Sequence, residues 1–137
     1  MTGSTPKGVA ALEEALRAIP GVTVQPWRPT PQHASTQPLL VFFEVEDPRW
    51  LYLVGRAVDR NYGGYGFRCE LSTTDLPEHA VGYLLTSEAG GLRGPALLGH
   101  AAYPAAVALA VRIRFLLSPE AAHIRAAFHL PHLPGAD

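Results

Sequence analysis

The chain has 137 residues, 47% of them apolar and 17% charged, with a formal net charge of −1 at pH 7. That length can close one hydrophobic core without metal or disulfide staples, and so small a net charge excludes whole-molecule attraction to nucleic acid or membrane. A single cysteine, Cys69, excludes an internal disulfide and, set in an apolar alternation, reads as a core residue. Ten of the eleven cations are arginine, and with abundant Ala, Pro and Gly this is the composition of a GC-rich, bacterial-type genome rather than a phosphate-binding signal. The first residues lack a charged-then-apolar leader, and the longest apolar stretch, 105–117, is interrupted by Arg112 and Arg114. A cytoplasmic location is expected.

Thr5 and Pro6 open a first helix, with Val9, Leu12, Leu16 and Ile19 on one stripe, and Pro20-Gly21 ends it. Val22 to Trp27 reads as a short edge strand. Residues 28–38 have no apolar period and read as a flexible surface loop. In the strongest strand, Leu39 to Glu46, Leu39, Val41, Phe43 and Val45 face one way while Leu40, Phe42 and Glu44 face the other. Both faces are largely apolar and ask for cover.

Asp47-Pro48 begins a second helix by cap and proline. Trp50, Leu51, Val54, Ala57 and Val58 are expected on its inner side; Arg49, Leu53, Arg56 and Arg60 on its outer side. Asn61 to Gly66 follows as a glycine- and tyrosine-rich turn. Phe67, Cys69 and Leu71 alternate with polar residues in a third strand, and Val81 to Thr86 forms a fourth. Pro104 to Leu117 is a helix apolar on two sides, through Leu109, Ile113, Leu116 and Leu117 and through Val107, Val111 and Phe115. Ser118-Pro119-Glu120 caps a shorter fourth helix in which Ala121, Ile124 and Phe128 share a face.

The fold class expected is α+β: a single domain over 1–130, with order α-β-β-α-β-β-α-α and a disordered tail at 131–137. Four mainly antiparallel strands pack with the helices chiefly on one face. This order is similar to that of class I type III secretion chaperones, with one strand fewer; the likeness is one of topology.

The candidate binding residues are Arg49, Tyr52, Arg56 and Arg60 on helix 2, with Tyr62 and Tyr65 beyond it. Guanidinium groups bind phosphates and tyrosines stack on bases, so nucleic acid is one reading; a solvated helix back or a protein contact is another. The glycine turn runs from helix to strand, the reverse of a phosphate-cradling loop. His123, His129 and His132 lack ligand spacing, so neither metal nor cofactor is expected. No catalytic motif occurs, although Glu44, Asp59 and Glu70 offer carboxylates to a small hydrolase, with Arg68 ready to pair with them. No catalytic residue is assigned. Val107, Val111 and Phe115 form the candidate interface, to be covered either by the tail helix or by another protein. The leading expectation is a non-catalytic protein-interaction domain of adaptor, chaperone-like or immunity type that self-associates as a homodimer. Nucleic-acid binding and hydrolysis are the alternatives.

Overall fold

Period-two alternation builds a four-stranded antiparallel sheet, and period-3.6 stripes lay helices against it. A computed structural model describes residues 7–25, 39–59, 67–71, 81–87, 102–131 and 133. Its elements are α1 (Lys7–Arg17), β1 (Val22–Val24), β2 (Leu40–Val45), α2 (Leu51–Val58), β3 (Arg68–Leu71), β4 (Val81–Thr86), α3 (Ala102–Leu116) and α4 (Ala122–Ala127). Single 3-10 turns at Pro48–Trp50 and Pro119–Ala121 lead into α2 and α4. The α+β class and the element order are those the sequence predicts. The loop at 28–38, the glycine turn, and all of the 131–137 tail except Pro131 and Leu133 lie outside the described residues.

Strand order is β1-β2-β4-β3, every neighbouring pair antiparallel. In β2, Val41, Phe43 and Val45 are buried, while Leu40 and Glu44 on the alternate positions are not. The register sets Val41 opposite Leu85 and Phe43 opposite Tyr83, whose rings stack at 5.8 Å between centroids. Beyond the ladder, the Leu39 N–H donates to the buried Ser87 hydroxyl (2.8 Å) and the Ser87 N–H to the Leu39 carbonyl (3.0 Å). Buried polar groups must be paired, and this exchange pairs them where the two central strands end.

The core joins these strand residues to Val9, Leu12 and Leu16 of α1, Leu53, Val54 and Ala57 of α2, and Ala106, Leu109 and Ile113 of α3. α1 and α3 run in the same direction: Gly8 lies against Tyr103, and Glu14 pairs with Arg114 further along both helices (3.3 Å). A Cβ at Gly8 would stand 2.6 Å from the Tyr103 carbonyl oxygen, so only glycine permits this approach. Gly21, at φ +74°, turns the chain from α1 into β1 and accepts a hydrogen bond from the Glu46 N–H.

One helix assignment needs correction. Leu53 is buried and belongs to the inner face of α2, whereas Leu51 is only half-buried. At 100° per residue Leu53 falls 60° from Trp50 and about 40° from Ala57, well inside an apolar stripe roughly 100° wide.

Candidate functional site

The outer face of α2 is built from its start. Asp47 is extended (φ −112°) and its carboxylate accepts the Arg49 N–H at 3.0 Å, while Pro48 occupies the first helical position. The Arg49 guanidinium then folds back on the same carboxylate, with Nε at 3.1 Å and Nη2 at 2.6 Å. These hydrogen bonds hold the Asp47 carboxyl below its ordinary range and raise the Arg49 guanidinium. Arg49 is thus on the face the sequence indicates, with its charge already balanced within the chain.

One turn on, Tyr52 is 58% exposed and its ring lies nearly parallel to that of Phe128, with centroids 6.0 Å apart and planes at 11°. The Arg56 guanidinium sits 5.8 Å from the centroid of the same Phe128 ring, a cation–π arrangement. Between Tyr52 and Arg56 lies Gly55, where an added Cβ would meet nothing within 4 Å. With Pro48, Leu51 and Asp59, these residues outline an open groove of about 660 Å³. Arg49, Tyr52 and Arg56 are therefore brought together; Arg60, Tyr62 and Tyr65 lie outside the described residues.

Phe128 reaches α2 because the chain doubles back after α3. The Arg125 Nη1 donates to the Leu116 carbonyl (2.8 Å) and the Ser118 carbonyl (2.6 Å), filling acceptors left open at the end of α3. His129 takes a left-handed conformation (φ 56°), and the Leu130 N–H closes on the Arg125 carbonyl at 3.1 Å, which ends α4. Ser118 does not cap this turn through its side chain; its hydroxyl donates to the Phe115 carbonyl instead. Sequence reasoning named Phe128 only as a cover for α3 and passed over Gly55. The available signal was the i, i+4 spacing of Tyr52 and Arg56, which sets two flat groups side by side for a third ring.

α4 packs against the end of α3 and Phe128 beyond it reaches α2, yet the outer face of α3 stays open. Val107, Val111 and Phe115 are 42%, 62% and 41% exposed, while Ala106, Leu109, Ala110 and Ile113 on the inner face are buried. Arg112 lies over the Phe115 ring at 5.8 Å from its centroid.

The carboxylates do not converge. Asp59 ends α2 in the helix layer, whereas the alternation in β2 turns Glu44 to the sheet face away from the helices. Glu70 pairs with Arg68 of its own strand at 3.3 Å. Burial, and then the neighbouring Glu70 charge, push the Cys69 thiol up to about 12, which keeps it protonated and unreactive at neutral pH. Among the described residues, no three His, Cys, Asp or Glu side chains gather to hold a metal ion, and no helix is long and apolar enough to cross a membrane. Compared with known proteins, the chain matches no family model, no curated protein and no solved structure.

Proposed function

We propose that this chain is a non-catalytic protein-interaction domain, an accessory protein of adaptor, chaperone-like or immunity type, that self-associates through the outer face of α3. The observation that carries the reading is the exposed stripe Val107, Val111 and Phe115 on a helix whose other side is already core. Contiguous apolar surface of this kind marks contact sites more often than plain solvent-facing surface. The stripe is also evenly spaced about Val111, four residues to either side. Two antiparallel copies of α3 related by a two-fold axis at Val111 set Val107 of each copy against Phe115 of the other, a self-complementary arrangement.

The test is molar mass in solution as a function of concentration. One chain is 14.7 kDa. Mass rising toward twice that value, and held at one chain by Val111→Asp with an unchanged thermal melt, supports the reading. A wild-type mass that stays at one chain up to about 1 mM, where even a weak contact of about −4 kcal/mol would register, overturns the self-association.

A further inference from the structure

We propose that the groove between α2 and Phe128 is a recognition site for a short, uncharged, apolar peptide segment of a partner protein, with an aromatic side chain seated over Gly55. This rests on the reading of the chain as a protein-interaction domain, and it puts partner capture on a surface separate from the α3 stripe.

The first support is the glycine. Inside an eight-residue helix glycine is a destabilising choice against alanine; at Gly8 a close backbone and at Gly21 a left-handed turn require it. At residue 55 neither demand exists: a Cβ would enter open space. What its absence provides is a notch in the groove floor between Tyr52 and Arg56.

The second support is charge. Arg49 is held by Asp47 in a two-pronged pair, Arg56 lies over Phe128, and Asp59 is also engaged within the chain. Arg49 and Arg56 are matched in number by Asp47 and Asp59, so a polyanion finds no net positive charge to meet, whereas an uncharged occupant meets a neutral surface with a neutral one. The walls offered to it are Leu51, Tyr52 and Phe128, and aromatic rings prefer such offset-stacked neighbours.

The third is size. From Pro48 to Asp59 the groove follows eleven helical steps, roughly 16 Å at 1.5 Å per residue, which is the reach of about five extended residues at 3.3 Å each. Its volume of about 660 Å³ falls in the range of clefts that take a drug-sized ligand.

The experiment is to pan a random heptapeptide phage library on the purified full chain, then measure the enriched sequence as a synthetic peptide. The expected product is a Trp, Phe or Tyr flanked by uncharged apolar residues. That peptide binds wild type, binds Gly55→Leu and Tyr52→Ala at least tenfold more weakly, and binds Val111→Asp as well as wild type. Gly55→Leu fills the notch from a position with open space and better helix propensity, so its melting temperature stays level or rises; Tyr52→Ala alters an exposed side chain. Three results overturn the site: no enrichment, an acidic consensus, or a peptide indifferent to both groove variants. If those occur while Val111→Asp still abolishes self-association, the groove fails and the interaction reading stands. Peptide binding in a chain that never self-associates separates the converse.

Discussion

Three glycines in helices or turns give three different outcomes when a methyl group is added. Gly8→Ala drives a Cβ to 2.6 Å from the Tyr103 carbonyl, so α1 and α3 must part; a loss of about 1–3 kcal/mol is expected in urea unfolding. Gly21→Ala keeps a left-handed φ of +74° and meets the Glu46 side chain at 3.2 Å, a strain of about 1–2 kcal/mol. Gly55→Ala enters open space and exchanges the least helical ordinary residue for the most helical one, so stability rises by about 0.5–1 kcal/mol. Of these, only the turn at Gly21 was legible in the sequence, as the Pro20-Gly21 helix end; the surroundings of Gly8 and Gly55 depend on remote neighbours. Cys69 was legible in part: the alternation from Phe67 sets it against the core, where it is half-buried, although Leu71, next in the same alternation, is exposed. Its thiol is raised from 9.0 to about 12, so the folded state holds its proton at pH values where the unfolded chain has lost it. This contribution to stability is complete below pH 9 and is lost as pH rises from 9 toward 12; Cys69→Ala should flatten that alkaline decline in denaturation curves. At pH 8 Ellman's reagent should label the thiol only after denaturant is added.

Among the elements, α4 is the one whose position sequence reasoning left open. Ala121, Ile124 and Phe128 do share a face, but a stripe states that a helix is amphipathic and not which surface receives it. The decision is made by Arg125, whose two bonds to the carbonyls of Leu116 and Ser118 set the direction of the return. Hydrogen bonds from a charged donor contribute about 1.5–3 kcal/mol, so Arg125→Ala should release the segment from Pro119 to Phe128. Amide exchange should then accelerate in α4 and at Tyr52 while β2 and β4 keep their protection. The left-handed His129 gives a prediction of opposite sign: His129→Gly relieves a side-chain penalty of about 1 kcal/mol and should slow exchange in the same segment. By contrast, α1, β2 and the start of α2 were readable from local chemistry: a clean stripe, strict alternation, and Asp-Pro supplying both a cap and a fixed φ. Leu53 was misplaced because Arg49, four residues before it, and Arg56, three after it, draw it toward the polar side of the helix, although it falls within the stripe set by Trp50 and Ala57.

At the scale of the molecule, the α+β class and the antiparallel pairing within each hairpin followed from the sequence, but the order β1-β2-β4-β3 did not. Which two strands become central depends on which faces the helices can bury together, a property of the assembled core. The need for a second cover on α3 was readable in the sequence, but whether the tail helix or another protein supplies it was left open; among the described residues Val107, Val111 and Phe115 stay exposed. Three side chains fall well short of the about 800 Å² per partner that stable interfaces bury, so the expected dimer is weak and concentration-dependent. Phe115→Asp should lower its association as Val111→Asp does, while Tyr52→Ala leaves it unchanged; sedimentation velocity distinguishes the three. The pairing of α1 with α3 has a further consequence, one of timing. Glu14 and Arg114 meet across 100 residues of sequence, and Gly8 and Tyr103 across nearly as many. A ribosome adding about 5–20 residues per second takes about 5–20 s to make α3 after α1 has left it. For that interval the nascent sheet carries the apolar stripe of α1 without its partner helix. Premature chain release before α3 should therefore yield an insoluble fragment, and the last long helix is what converts the emerging polypeptide into a domain.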